Sequence, residues 1–208
     1  MRGQKKYILL ILPGIFFQAA AQDVPKDSAS WEFELDLYQY IVPHSPDNPV
    51  LMGYADYGKA HYEVRYNYED LHTASVFAGY RMETGNVFVV GATPIGGVVF
   101  GNINGVVPGL LLDATWKKFD FYSESEYVVD FSNEESNYFY TWTELAYSPA
   151  DFLRTGISAN RTRLYQTDLE VQHGVFAEGI WKNLTAGFHW FNPAADEEFF
   201  IATLALTF

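Results

Sequence analysis

Hydrophobic and polar residues alternate with a period of two along most of this chain, and the last nine residues show the pattern most clearly. Five apolar side chains share one face of that segment: Phe200, Ala202, Leu204, Leu206 and Phe208. Successive side chains of a β-strand point to opposite faces, so this alternation predicts a strand whose two faces meet different surroundings. Because helical periodicity is almost absent elsewhere, the chain is predicted to be all-β.

The same pattern predicts twelve strands, at residues 31–42, 50–57, 60–68, 73–82, 86–100, 109–116, 119–131, 138–148, 153–163, 171–181, 184–191 and 198–208. Short connections at 58–59, 83–85, 117–118, 149–151 and 182–183 alternate with longer ones at 44–49, 69–72, 102–108, 132–137, 166–170 and 192–197. An even number of strands of roughly 9–11 residues, with short turns at one end and longer loops at the other, is typical of β-barrels that span a membrane.

The N-terminal residues predict export from the cytoplasm. Arg2, Lys5 and Lys6 precede an apolar stretch over residues 7–17, and small residues follow at 19–21. This is the arrangement of a secretory signal peptide, and the apolar stretch is too short to span a bilayer. Residues 1–21 are therefore predicted as a cleaved signal peptide, residues 22–30 as a short periplasmic segment and residues 31–208 as the barrel.

Composition narrows the possible partners and chemistry. Lys and Arg number 13 against 26 Asp and Glu, and the formal net charge of −13 argues against nucleic acid as a partner. The chain contains no cysteine, which excludes disulfides, thiolate chemistry and lipoprotein processing. After the predicted signal peptide no apolar stretch is long enough for a transmembrane helix. Aromatic residues make up 18% of the chain, as expected for aromatic girdles at the two membrane interfaces.

A terminal phenylalanine on a period-two strand resembles the C-terminal signal of bacterial outer-membrane β-barrels. Together with the signal peptide and the alternating strands, the resemblance covers the whole mature chain. It implies a single transmembrane antiparallel up-and-down β-barrel of about twelve strands in the bacterial outer membrane. It also implies that barrel-insertion machinery reads Phe208, and that the partners are outer-membrane lipid and lipopolysaccharide. The resemblance does not identify a companion membrane protein.

Aromatic residues at the strand ends predict where the membrane interfaces lie. Trp116 and Trp181 directly precede two short turns that begin with lysine. An indole ring prefers the apolar side of an interface with its N–H toward the headgroups, and lysine can extend to the same level. The alternative is that these are ordinary core aromatics of a soluble β-protein. The predicted girdle residues are Trp31, Trp116, Trp181, Trp190, Tyr66 and Tyr68.

Alternation also assigns charged residues to the inside of the barrel. A charge on the lipid face at mid-bilayer would cost ~2–4 kcal/mol for Arg or Lys, and less for Asp or Glu. The residues predicted to face the lumen and set selectivity are Glu32, Glu34, Asp36, His61, Glu63, Arg65, Glu124, Glu126, Glu144 and Arg154. Two interpretations remain open: a narrow water-filled passage, or a packed polar core that only holds the cylinder together.

Two further segments allow alternative interpretations. If alternation continues through the strand at 153–163, Arg161 and Arg163 face outward, where they could pair with lipopolysaccharide phosphates. A β-bulge near Asn160 would instead turn both arginines into the lumen. The Gly- and Pro-rich segment 91–109 is either a kinked strand followed by a plain loop, or a loop that folds into the barrel mouth and narrows it.

Sequence motifs of known chemistry are absent, and no cofactor or metal is predicted. His61 and Glu63 share a face, but no third metal ligand is indicated. Ser148, Ser158 and His173 are the candidates for an outer-membrane phospholipase, and the group at 69–72 (Glu69, Asp70, His72) is the candidate for an outer-membrane protease, but neither set has a convincing arrangement. The function best predicted is a narrow passive channel for small polar or cationic solutes. The alternative function is a structural or partner-binding barrel with a plugged lumen. A hydrolase is a third possibility that the sequence favours less.

Overall fold

The computed structural model of the chain describes residues 30–43, 48–133, 136–162, 170–195 and 197–208. The predicted signal peptide, the rest of the periplasmic segment up to residue 29, and Arg163 lie outside the described residues. The described strands are β1 (Trp31–Ile41), β2 (Asn48–Tyr57), β3 (Ala60–Tyr66), β4 (Thr73–Tyr80), β5 (Met82–Gly85), β6 (Phe88–Gly101), β7 (Gly105–Trp116), β8 (Phe119–Asp130), β9 (Tyr138–Ala150), β10 (Leu153–Arg161), β11 (Gln172–Trp181), β12 (Leu184–Phe191) and β13 (Phe199–Thr207).

These strands form one closed antiparallel barrel. Consecutive strands pair along the chain, β1 pairs with β13, and β4 pairs with β6 to complete the ring. β4 and β5 occupy a single wall position, because the pairs Gly79–Ile95 and Met82–Ala92 keep the same register along β6. The break between them lies opposite Pro94, which has no amide hydrogen to donate. The ring therefore has twelve wall positions, and the predicted fold class is confirmed.

The two ends of the barrel differ as the sequence predicted. One end carries two-residue turns, among them 58–59, 117–118 and 182–183, whose first residues have positive φ. The C-terminus lies at this end, where Phe33 and Phe208 exchange two backbone hydrogen bonds of 3.1 and 3.0 Å. Of the longer connections at the other end, residues 44–47, 134–135, 163–169 and 196 lie outside the described part.

Three predicted connections are wrong in position. The turn predicted at 149–151 lies at 151–152, because β9 runs to Ala150, which pairs with Leu153 of β10. The turn predicted at 83–85 lies at 86–87, because Glu83 and Thr84 pair with β6 as part of β5. The loop predicted over 102–108 spans only 102–104, since β7 begins at Gly105 and pairs with β6 along its whole length. Gly101, with φ of 137°, makes this tight turn possible, and the Asn104 side chain donates to its carbonyl oxygen at 2.9 Å. The 91–101 segment is therefore a continuous strand.

The barrel is inside-out compared with a soluble protein. Large apolar side chains cover the outer face; for example, Leu35 is 50%, Val64 57% and Leu204 47% exposed. The inner face carries 27 buried polar or charged residues beside an aromatic and aliphatic group. Apolar side chains on the outer face are favourably placed against hydrocarbon, and β-strands satisfy all their backbone hydrogen bonds there when they close into a barrel. This distribution therefore matches a membrane setting. No helix among the described residues is long and apolar enough to cross a membrane.

Candidate functional site: the barrel interior

The barrel interior collects the charged residues that alternation assigned to it. Nine of the ten predicted lumen residues are buried inside: Glu34, Asp36, His61, Glu63, Arg65, Glu124, Glu126, Glu144 and Arg154. The tenth, Glu32, is half-buried near the short-turn end. Their inward orientation follows from the unbroken period of two in β1, β3, β8, β9 and β10.

Arg65 on β3 is the centre of the first charged cluster. Its guanidinium donates to Glu63 Oε2 at 2.6 Å, to Glu124 Oε1 at 3.1 Å and to Glu126 Oε1 at 2.8 Å. The ring centroids of Tyr68 and Phe77 lie 4.5 and 4.3 Å from its Cζ atom. A planar guanidinium suits both kinds of contact, stacking on rings through its faces and donating from its edge.

The Arg65 cluster extends toward both ends of the barrel. His61 Nε2 lies 2.7 Å from Glu63 Oε1, and His61 Nδ1 lies 2.8 Å from Asp56 Oδ1. Toward the loops, Glu69 accepts a hydrogen bond of 2.6 Å from Ser75. Burial raises the pKa of Glu69, which lies beyond the end of β3, and the nearby Arg65 opposes that rise.

Arg154 on β10 is the centre of the second charged cluster. Its Nη2 atom lies 2.7 Å from Asp120 Oδ1 and 2.8 Å from Glu144 Oε2, and its Nη1 atom lies 2.8 Å from Glu178 Oε2. The Trp142 indole donates to the second oxygen of Glu144 at 2.9 Å. One arginine therefore neutralises only one of three carboxylates, and the cluster keeps a negative balance.

Side chains from distant strands meet across the lumen. Arg65 on β3 reaches β8, although β4, β6 and β7 separate these strands in the ring. The Tyr140 hydroxyl donates to the Tyr68 hydroxyl at 2.7 Å, and Tyr138 donates to the backbone carbonyl of Glu69. A cavity of about 10 Å³ remains between Tyr38, Met52, Tyr54, Tyr68, Tyr122, Glu124 and Trp142. A cavity of this size admits one water at most.

Tyr68 corrects one girdle prediction. It was assigned to the outer belt, but the structure buries it inside, with 6% exposure. β3 ends at Tyr66, and Asn67 has φ of 60°, which interrupts the pleat and turns residues 67–69 inward together. Asn67 also accepts a hydrogen bond from the His72 amide at 2.7 Å, which closes this short loop. The asparagine at this position could have indicated that the strand ends here, because Asn tolerates left-handed backbone better than most residues do.

The other girdle residues lie on the outer surface near the two rims. Trp31, Trp116 and Trp181 are exposed at the short-turn end. Lys117 and Lys182 place their ammonium groups 4.8 and 5.3 Å from the neighbouring indole centroids. At the loop end, Tyr66 and Trp190 are exposed, and the Trp190 indole donates to Glu198 at 3.2 Å. The contact of these rings with lipid headgroups stays a prediction.

Arg161 lies on the outer face of β10. Asn160 and Thr162 on either side of it are buried, and the β9–β10 register runs unbroken through Arg161–Thr141. The alternative of a β-bulge near Asn160 is therefore wrong. The register between β9 and β10 shifts instead between Leu153 and Thr155. Arg161 donates to the backbone carbonyl of Phe139. Its contact with lipopolysaccharide stays a prediction, as does that of Arg163.

The described residues include no group of three or more His, Asp and Glu side chains arranged to hold a metal ion. The hydrolase candidates are also separated in space. Ser158 is buried inside the barrel, whereas His173 is exposed on the outside, so the two cannot act as a nucleophile and its base. Glu69, considered for a protease-like mouth, is buried in the Arg65 cluster.

Comparisons with known proteins support the fold. The sequence matches no protein-family model and no curated protein. Solved structures of similar fold include KdgM porin and KdgM porin in complex with disordered oligogalacturonate. Each has a TM-score of 0.59 and 14% sequence identity, over 84% of this chain and 99% of the other. The chain thus shares the antiparallel β-barrel fold of these porins.

Proposed function

We propose that the protein is a narrow passive channel for small cationic or neutral polar solutes. The observation that carries this proposal is the charge of the interior. Eleven carboxylates are buried in the described part of the barrel, against two arginines and two histidines. Charges interact more strongly across a low-dielectric lumen than in water, so such an interior attracts cations and repels anions.

The same charge balance argues against carrying over the ligand of the similar porin. That structure contains oligogalacturonate, which is an anion. In the present barrel both buried arginines are shared among several carboxylates, so neither cluster offers a net positive site. The proposal therefore takes from the comparison only the porin-like fold and takes its selectivity from the residues inside this chain.

The contacts across the lumen limit the size of the solute. A passage has to open between Glu124 of the Arg65 cluster and the rings of Tyr68 and Trp142, where the cavity of about 10 Å³ lies. Opening requires side-chain movement rather than rearrangement of strands, because the contacts are made by side-chain ends. We expect low conductance and passage of inorganic ions or comparably small solutes.

These contacts also favour a second candidate function. A barrel whose interior is filled by side chains can act as a structural or partner-binding element with no transport at all. The tyrosine contacts between Tyr68 and Tyr140 and between Tyr138 and the Glu69 backbone favour it, because they join opposite walls. This candidate predicts no conductance in any variant that keeps these contacts.

Current measurements on the purified protein in planar bilayers distinguish the two functions. Under a KCl gradient, the channel proposal expects a small conductance whose reversal potential indicates cation preference. Glu124→Gln together with Glu126→Gln weakens that preference, because two lumen charges are lost while Arg65 keeps Glu63. Asp151→Asn, which removes an exposed carboxylate outside the lumen, leaves it unchanged. Repeated reconstitution without any current supports the plugged barrel instead.

A further inference from the structure

An open apolar groove of about 670 Å³ lies on the outer face of the barrel, across β3, β4, β6 and β7. This volume is within the range of roughly 300–1,000 Å³ found for small-molecule sites. The side chains at its edges face outward: Tyr62 is 45%, Val76 46% and Val98 52% exposed. None of the described residues that line it is charged, so the groove suits a hydrocarbon ligand.

The groove exists because the strand register places small side chains between larger ones. Ala78 on β4 is paired with Gly96 on β6, and Gly96 is paired with Pro108 on β7. A Cβ atom on Gly96 would meet nothing within 4 Å, so the floor of the groove is open to a ligand from outside. Tyr62 on β3 is paired with Ala78, and Val98 is the next outward residue on β6, so these two side chains form raised edges.

Lys59 places a positive charge at the short-turn end of the groove. Tyr80 is the next outward residue after Ala78 on β4, and the Lys59 ammonium group lies 5.7 Å from the centroid of the Tyr80 ring. The carboxylate of Glu83 on the same wall is paired with Arg81, whereas Lys59 forms no ion pair with any described residue. The charge of Lys59 is therefore available to an anion at this rim.

A hydrocarbon groove that ends at a cation is complementary to a lipid with a negatively charged headgroup. Van der Waals contact holds the acyl chain, because the surrounding lipid is as apolar as the groove itself. The ammonium group of a lysine near the membrane surface attracts the phosphate. A second copy of this chain fits less well, because a two-fold contact through the groove would bring two Lys59 side chains to the same rim, where they repel.

We propose that this groove binds one anionic phospholipid, with an acyl chain over Ala78 and Gly96 and the phosphate at Lys59. The site gives one wall of the barrel a fixed lipid, while the other walls meet exchanging lipid. The inference goes beyond the proposed channel, because binding to the outer face requires no open lumen.

Native mass spectrometry of the full barrel, released from detergent after titration with phosphatidylglycerol, tests the proposal. The wild-type protein is expected to retain one lipid molecule. Gly96→Phe is expected to weaken this binding at least ~5-fold, since the new ring takes the place of the acyl chain. Lys59→Gln is expected to weaken it about 5-fold, the contribution of one lysine near an anionic headgroup. Phosphatidylcholine with the same acyl chains should bind wild type as weakly as phosphatidylglycerol binds Lys59→Gln.

Gly179→Phe and Lys182→Gln are the matched controls on the far side of the barrel. In the ring, β3, β2, β1, β13 and β12 separate β4 from β11, which carries Gly179. Gly179 faces outward, and a Cβ atom there would come no closer than 3.9 Å to its nearest neighbour. Lys182 lies at the same rim as Lys59, with its ammonium group 5.3 Å from the Trp181 centroid. Both controls should retain the lipid as wild type does.

Thermal unfolding in detergent gives a second measurement. Phosphatidylglycerol should raise the unfolding temperature of wild type and Gly179→Phe but not of Gly96→Phe, because a ligand stabilises the folded state to which it binds. A stable Gly96→Phe barrel without this shift separates the loss of the lipid from a loss of folding.

The proposal is overturned if wild type retains no lipid, if Gly96→Phe binds as wild type does, or if the controls lose binding equally. Equal binding of phosphatidylcholine and phosphatidylglycerol would also reject it. A species with the mass of two chains that disappears in Gly96→Phe, with no lipid bound, would show that a second copy covers the groove. If the lipid binds as expected while bilayers show no current, the lipid site stands and the channel function fails.

Discussion

Replacing Arg65 with methionine is expected to lower the free energy of unfolding by about 3–5 kcal/mol. Methionine keeps much of the volume and the contact with the rings but removes the only arginine of the first cluster. Glu63, Glu124 and Glu126 are each at most 4% exposed and would remain as buried charges near one another. Breaking a buried ion pair from one side costs this much because the other charge stays uncompensated. Denaturant unfolding of the refolded barrel in detergent, followed by tryptophan fluorescence, measures the effect.

Two controls separate the loss of the cluster from the loss of a positive charge in general. Lys118→Met removes an exposed cation whose ammonium group donates to the carbonyl oxygen of Pro149 at 2.7 Å. A change within about 0.5 kcal/mol is expected there. Adding Glu124→Gln and Glu126→Gln to Arg65→Met should restore most of the lost stability, because the unpaired charges disappear with their partner. Equal effects of Arg65→Met and Lys118→Met would contradict a buried cluster.

The strands and the orientation of most lumen residues could be predicted because the two faces of a barrel wall meet different environments, hydrocarbon outside and a polar interior inside. Alternation of Leu35 with Glu34 and Asp36 has one low-energy arrangement once hydrocarbon lies on one side. A one-residue slip would put every carboxylate of β1 into lipid. Local sequence therefore fixes orientation strand by strand, without knowledge of the neighbouring strands.

Alternation could not predict which inward side chains contact each other across the lumen. Arg65 and Glu124 are 59 residues apart, and both are inward by alternation. Which inward residues meet depends on the number of strands and their stagger, and these set the diameter and the relative heights of opposite walls. For this reason the sequence left open whether the acidic interior is a passage or a packed core, and the packing of Tyr68, Tyr140 and Trp142 became visible only in three dimensions.

The errors in the predicted connections arise from the local sequence, as the segment 102–108 shows. Glycine and proline ordinarily mark loops, and the segment 102–108 contains both, so it was predicted as loop. In the barrel, Pro108 lies in β7 directly opposite Gly96, where a missing donor and a missing side chain are tolerated. The prediction for Tyr68 is wrong for a different reason. Hydrophobic and polar residues continue to alternate in the sequence through Tyr68, but the left-handed backbone of Asn67 ends the strand before it.

Two neighbouring glycines of β6 give the second large prediction, because they point to opposite faces of the wall. A Cβ atom on Gly97 would lie 2.4 Å from Cδ1 of Phe77, the ring that stacks on the Arg65 guanidinium. Gly97→Val is therefore expected to cost about 1–3 kcal/mol, as overpacking does in well-packed interiors. A Cβ atom on Gly96 meets nothing within 4 Å. Gly96→Val should be neutral or stabilising by up to ~1 kcal/mol, since β-branched residues favour strands.

The comparison between these two variants tests how tightly the interior is filled. Both introduce the same side chain at adjacent positions of one strand, so strand propensity and the loss of glycine flexibility are the same in each. The difference in unfolding free energy, measured as for Arg65→Met, therefore reports the contact of Gly97 with Phe77. Displacing Phe77 also removes one of the two rings that cover Arg65, so Gly97→Val should raise any bilayer current while Gly96→Val leaves it unchanged. Equal stability of the two variants would mean that Phe77 has room to move, and that the lumen is looser than its contacts indicate.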